Sequence, residues 1–321
     1  MIVGIYHPAF WTSHGHWGYQ HHTQGSLGVW KGISYRINSQ LVEADFVVVH
    51  EDIDQPMNVK TSAGGFVLVT GEEKSIKQYH PEYLNQFDLI ITSRDDLKHP
   101  NIIRCHYLNP WRVKKTYDDL IEINHLVKTK MVSSIISNLT ALPSHKERFA
   151  FINKLKGHYK DDLDWFSKGE QTFIEDKWDG LEAYRYSIAI ENSYHSNYFT
   201  EKITDCFLAY TMPFYAGCPN IKDFFDERSF VSINTKDFME AIETIDIALR
   251  ENVYEKNLGF VKDSRRLVLE KYHFIATLTD ILHQQKKQRV KLSKTIWPQV
   301  YFKDGKVERL LKSAIKKMVG K

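Results

Sequence analysis

The stretch from Tyr186 to Asn220, YSIAIENSYHSNYFTEKITDCFLAYTMPFYAGCPN, concentrates groups that bind or move charge. An apolar strand delivers Glu191 and Asn192 to its C-terminal end, and a polar loop leads to Thr200, a hydroxyl residue of the kind that caps helices. Glu201 and Lys202 then fall in the first helical turn. Open backbone N–H groups and the helix dipole favour an anion there, and a lysine adds a full positive charge. Taken singly, Glu201 is a dipole-favoured acid and Lys202 its exposed neighbour; taken together they form a candidate anion site. A second cluster, Asp161-Asp162-Leu163-Asp164, has an Asp-x-Asp spacing that suits either a divalent ion or, more commonly, a solvated loop.

Other chemistries are excluded by what is missing. No GxGxxG follows a strand and no GxxxxGK[ST] occurs, so the commonest dinucleotide and phosphate cradles are absent, as are GxSxG and HExxH. The three cysteines, Cys105, Cys206 and Cys218, make no CxxC pair and no even framework of disulfides, which favours a reducing compartment.

The elements that must hold these residues read as α/β. Apolar runs at Ile2 to Tyr6, Asp45 to His50, Gly65 to Thr70, Asp88 to Thr92 and Ile102 to Tyr107 read as buried strands. A second series follows a Lys-rich stretch at 114–130: Ser133 to Ser137, Tyr186 to Glu191, Met212 to Tyr215 and Ser229 to Ile233. Helical patterns lie at 145–157, 201–210, 236–250 and 262–283. This predicts two α/β units, 1–125 and 126–285, with sites at strand C-terminal ends. The 321 residues, 42% hydrophobic and 13% aromatic with 16 Gly and 9 Pro, suit folded domains and not disorder. The opening residues have no signal-peptide pattern and no apolar run is long enough to span a bilayer, so the expectation is a cytoplasmic protein.

The order and spacing over some 45 residues resemble the signature of glycosyltransferase family 10, the α-1,3-fucosyltransferase family. The matching elements are Glu191-Asn192-Ser193, Tyr198-Phe199-Thr200-Glu201-Lys202, Pro213-Phe214-Tyr215-Ala216-Gly217 and Ser229-Phe230-Val231. Shorter matches lie upstream, at Ser137-Asn138 with Arg148 and at Val69-Thr70-Gly71-Glu72 with Phe87-Asp88. The resemblance covers about 70–232 in patches. It implies the GT-B architecture, two Rossmann-like domains facing across a cleft, and inverting transfer of fucose from GDP-fucose to a glycan hydroxyl without an essential metal or other cofactor. Such a displacement needs one base and fixed cations for the leaving diphosphate. The resemblance assigns Glu72 as base, with Glu73 as fallback, Arg148 and Lys202 as the diphosphate clamp, and Glu201 as acceptor of hydrogen bonds from sugar hydroxyls. Asn192, Tyr198, Ser137 and Asn138 complete the donor site. The alternatives are another nucleotide sugar as donor, or a protein that binds such ligands without catalysis.

Two features are this sequence's own. The first 30 residues hold no Asp, Glu, Lys or Arg but many aromatics and histidines. Trp11, His14, His16, Trp17 and Tyr19 form either an acceptor cradle, in which rings stack on sugar faces, or part of the core; a metal site from His14, His16, His21 and His22 is the third reading. The last segment, 286–321, is a basic tail. Residues 284–321 hold twelve Lys or Arg against Asp304 and Glu308. Within it Val307, Leu310, Leu311, Ala314, Ile315 and Met318 form an apolar stripe among lysines and arginines, a cationic amphipathic helix. It suits the anionic inner surface of a membrane, where an enzyme building lipopolysaccharide or a similar surface glycan would work, or docking on the protein itself. The remainder of the chain is net acidic, which argues against nucleic acid as a partner.

Overall fold

The computed structural model describes residues 1–9, 18–39, 43–136, 143–167, 172–285 and 291–303. Two compact α/β units emerge, one of residues 1–108 with the described residues from 277 onward, the other of 109–276.

In the first unit the strands are β1 (Ile2–Tyr6), β2 (Val29–Trp30), β3 (Ile33–Ile37), β4 (Ala44–His50), β5 (Met57–Val69), β6 (Leu89–Thr92), β7 (Ile102–Arg104) and β13 (Leu292–Ile296). Their order is β2-β3-β1-β4-β5-β6-β7, with β13 antiparallel to the start of β5. The run β3 to β7 is parallel throughout. Val47, Val49, Phe66, Leu68 and Ile90 are buried in its core, as strands covered on both faces require. Gly65, at φ +91°, lies where β5 shifts register against β4, and a Cβ there would come within 2.6 Å of the Asp88 carboxylate that accepts the Phe66 N–H.

The second unit holds β8 (Lys130–Ile135), β9 (Leu163–Phe166), β10 (Tyr184–Ile190), β11 (Met212–Ala216) and β12 (Val231–Ser232), all parallel in the order β12-β11-β10-β8-β9. Helices α1 (Pro143–Tyr159), α2 (Glu201–Leu208), α3 (Phe238–Arg250) and α4 (Val253–Leu267) belong to this unit. Seven of the eight α2 residues are buried, so this helix is core. Strand order reverses beside β1 in the first unit and beside β8 in the second, which puts a ligand crevice at the strand C-terminal ends of each. These are the two Rossmann-like units expected of the GT-B type.

The unit boundaries differ from the sequence expectation. Trp111, Val113 and Leu120 are buried in the core of the second unit, so that unit starts at 109 and not at 126. The tail is shorter than expected, because β13 pairs with β5 and Ile296 and Phe302 are buried in the first unit's core. The helical pattern at 262–283 is interrupted by a π turn at Val268–Tyr272, after which a new helix runs Phe274–Gln284. The Val307 to Met318 stripe lies outside the described residues. Among the described residues no helix is long and apolar enough to cross a membrane.

Candidate donor site and the Glu72 loop

Where β10 ends, Glu191 is 2% exposed and ties the strand to α2. One carboxylate oxygen accepts the Thr200 N–H at 2.7 Å, the other accepts the Thr200 hydroxyl at 2.7 Å, and Lys202 Nζ lies 3.3 Å away. Gly217 makes room for this arrangement: a Cβ there would sit 2.4 Å from Glu191 Cγ. The glycine of the Pro213-to-Gly217 element is therefore required by space beside Glu191.

The helix start corrects one expectation. Thr200 caps α2 as predicted, its hydroxyl accepting the Lys202 N–H at 3.4 Å. The N–H groups are spent inside the protein, however, with Asn109 accepting from Glu201 N in the amide orientation that satisfies both its ends. Attraction for an anion must come from side chains.

Those side chains line a cavity of about 380 Å³. Arg148, Asn192, Glu201 and Lys202, which the sequence singled out, all reach it, as do Arg112 and Lys177, which it did not; Ile135, Ile136, Phe166 and Phe173 supply apolar wall. Arg148 projects from α1, is 6% exposed and hydrogen-bonds the Asn192 amide oxygen. Burial pulls the Arg148 guanidinium below its ordinary range, while Glu191 and Glu201 oppose that shift. Glu201 is surrounded by cations, with Lys177 Nζ at 3.1 Å, Lys202 Nζ at 3.7 Å and Arg112 Nε at 3.8 Å. Its burial alone would raise the carboxyl, but Lys177, Lys202 and Arg112 hold it well below the usual carboxylate range. Among the described residues four cations and one carboxylate line the cavity, an arrangement that suits a bound polyanion such as a diphosphate.

Not every expected donor residue is there. Tyr198 is outside the wall of the cavity, 4% exposed, with its ring 4.6 Å from that of His195. Ser137 and Asn138 lie outside the described residues. Asp164 is on β9 and accepts hydrogen bonds from Lys130 Nζ at 2.9 Å and Tyr184 OH at 2.7 Å, so the acidic cluster is partly strand and not a loop. Among the described residues no group of three or more His, Cys, Asp or Glu is placed to hold a metal ion.

In the first unit Glu72 follows β5 on the Gly71-Glu72-Glu73 turn. A residue the sequence did not flag builds that turn: Glu51, 2% exposed at the end of β4, accepts the N–H groups of Gly71 and Glu72 and the Tyr79 hydroxyl at 2.6 Å, with Lys77 Nζ at 3.1 Å. Glu72 is half-buried, whereas Glu73 is buried and accepts a hydrogen bond from Ser75. Glu72 is thus the more exposed of the two carboxylates. Tyr19 sits in the core, not in an acceptor cradle. It is 4% exposed, its hydroxyl lies 2.5 Å from His50 Nδ1, and its ring meets His7 edge-on. Trp11, His14, His16 and Trp17 lie outside the described residues. Beyond the ends of β1 and β3, a separate cavity of about 770 Å³ is lined by Tyr6, His7, Asn38, Asp54, Gln55 and Asn58 among others.

Residues 126–290, just over half of the chain, match glycosyltransferase family 10 (fucosyltransferase), C-terminal part. An α-(1,3)-fucosyltransferase of Helicobacter pylori is 36% identical over 73 residues, which is 22% of this chain and only 15% of that protein's length. A crystal structure of an α1,3-fucosyltransferase with GDP-fucose aligns over 84% of this chain and 92% of its own, at 18% identity and a TM-score of 0.49. A glycosyltransferase from Rickettsia africae aligns over 88% and 98%, at 8% identity and a TM-score of 0.46. The family match spans α1, the end of β10 and the start of α2, the elements that carry Arg148, Asn192, Glu201 and Lys202, and by that match the chain belongs to glycosyltransferase family 10.

Proposed function

We propose that the chain transfers L-fucose from GDP-fucose, with inversion, to a hydroxyl of a glycan acceptor. The observation that carries this reading is the cavity at the end of β10, lined by Arg112 and, from the family-matched residues 126–290, by Arg148, Lys177, Glu201 and Lys202. A nucleoside diphosphate leaves with growing negative charge, and fixed cations stabilise that charge more in the transition state than in the ground state. The ionised Glu201 accepts hydrogen bonds from ribose or sugar hydroxyls. Glu72, on a turn made rigid by Glu51, takes the proton of the attacking hydroxyl as general base. With the cations supplied by side chains, transfer proceeds without an essential metal or other cofactor. The acceptor is a surface glycan such as lipopolysaccharide, met on the cytoplasmic face of a membrane to which the Val307–Met318 segment adheres.

The test is a thermal-shift and transfer screen over GDP-, UDP-, CMP- and dTDP-sugars, since a ligand of the folded state stabilises it according to its concentration over its dissociation constant. GDP-fucose should stabilise most and should yield a product of inverted anomeric configuration in the presence of EDTA. Stabilisation by a different nucleotide sugar would replace the donor, and retention of configuration would remove the single-displacement mechanism.

A further inference from the structure

Beneath the cationic wall lies a carboxyl with no part in the chemistry above. Asp205 follows Glu201 by one turn of α2, so the two acids share a helix face. Asp205 is 2% exposed. Its Oδ1 accepts the Arg112 backbone N–H at 3.1 Å, and its Oδ2 lies 3.7 Å from Lys177 Nζ, the same ammonium that Glu201 holds at 3.1 Å. Asp205 therefore touches both segments that bring cations to the cavity from outside α1 and α2, at the Arg112 backbone and the Lys177 ammonium.

We propose that Asp205 is a proton-linked positioning residue of this cavity: it holds the Arg112 backbone and the Lys177 ammonium at the wall, and a diphosphate enters together with a proton taken up by Asp205. The inference rests on the reading of the cavity as the donor site. Its electrostatic basis is that two buried carboxyls share Lys177, and an incoming dianion competes for that ammonium while repelling both acids. The acid less well supplied with cations yields. Among the described residues Glu201 has three cations within 4 Å, whereas Asp205 has Lys177 alone within that distance. Burial pushes the Asp205 carboxyl up to about 7, Glu201 pushes the same way, and Lys177 and Arg112 oppose. The groups that face it are Glu201 and the buried Cys206 thiol on its own helix, Arg112 from the segment before β8, and Lys177 from the turn before β10. Two further groups titrate nearby: His145 on α1, held below its ordinary value by burial, Arg148 and Lys202, and Lys128, whose ammonium donates to the Ala209 carbonyl just past α2 and is lowered by burial to about 7. Binding linked to protonation must weaken as pH rises through the carboxyl's value, and the proton uptake equals the slope of that decline.

Titration calorimetry with GDP-fucose, whose diphosphate has no proton to exchange near neutrality, measures uptake directly when run in two buffers of different ionisation enthalpy. Wild-type protein should take up about half a proton per ligand near pH 7.5, with affinity falling at the matching slope. Asp205→Asn should bind with no uptake and a flat affinity, and His145→Gln should keep the wild-type uptake. Zero uptake by wild type from about pH 6.5 to 8.5, or loss of uptake in His145→Gln, overturns the proposal, and so does uptake that persists in Asp205→Asn. If Asp205→Asn does not fold, the wild-type, His145→Gln and Lys128→Gln titrations decide, and loss of uptake in Lys128→Gln overturns the proposal as well. Absence of GDP-fucose binding at every pH removes the donor reading itself, and with it this proposal.

Discussion

Replacing Lys177 by Met tests the cationic wall at a residue that no motif marks. Lys177 Nζ stands 3.1 Å from Glu201 Oε1 and 3.7 Å from Asp205 Oδ2, with a side chain 28% exposed. At an effective dielectric constant of about 20, the closer pair alone has a gross attraction of about 5 kcal/mol. Desolvation of the ammonium cancels part of this. Lys202 at 3.7 Å and Arg112 at 3.8 Å still compensate Glu201, so the net loss should fall below the cost of leaving a buried charge alone. We expect about 2 kcal/mol of lost stability in denaturant titration. Donor binding loses a charge-assisted bond worth about 1.5–3 kcal/mol, which is a rise of roughly 10- to 100-fold in the dissociation constant for GDP-fucose. Lys177→Arg should recover most of both. A Lys177→Met protein that folds and binds GDP-fucose within twofold of wild type would place the diphosphate elsewhere and refute the reasoning.

Arg148→Ala should weaken GDP-fucose binding by about 2 kcal/mol, roughly 30-fold, because it removes a desolvated guanidinium and leaves Asn192 without its partner; calorimetry reads it. Glu72→Gln should keep donor affinity while transfer falls by about 10² to 10⁴, and unchanged turnover would move the base to another residue. Because Glu201 is held below the usual carboxylate range in the folded chain, its contribution to stability is complete above its unfolded value and is lost as pH falls through its folded one. Glu201→Gln should therefore flatten the acid limb of a stability-against-pH curve, and an unchanged limb would mean the cations do not hold it. Deleting residues 305–321 should release the protein from anionic vesicles and leave transfer to a soluble acceptor unchanged; retained vesicle binding with a melting temperature several degrees lower would make the segment structural.

Fold was legible wherever one strand or one helix face carries its own apolar pattern. Residues 3–6 of β1 and Met212–Ala216 are buried on both faces and stand out as apolar runs. Leu163–Phe166 is hidden because it directly follows Asp161-Asp162 and carries Asp164, which on this edge strand pairs with Lys130 of β8 and accepts the hydroxyl of Tyr184 from β10. Leu292–Ile296 was hidden by lysines at 291 and 294, which flank and punctuate a strand whose partner, β5, lies more than 200 positions earlier. Charge on such an edge blocks further pairing and says little about whether the segment folds.

The site was legible only where its residues lie close together in the chain. Glu201 and Lys202 are neighbours at a helix start, and the cap at Thr200 was read from its type. What the cap does for a ligand was misread, since Glu191, nine positions back, already accepts from Thr200. Lys177 is 24 positions from Glu201, and Arg112 is 93 from Asp205. No spacing rule joins residues so far apart, because parallel strands are brought side by side by crossovers of variable length. Composition fails for a related reason. The body of the chain is net acidic, yet the described lining of the cavity at the end of β10 is net cationic, because Arg112, Arg148, Lys177 and Lys202 are brought to it from separate elements, with Glu201 among them and Glu191 and Asp205 behind. Glu201 is what permits that gathering. Without that anion the cations around 380 Å³ would repel one another, so the acid that Arg112, Lys177 and Lys202 share also keeps them in position for a diphosphate.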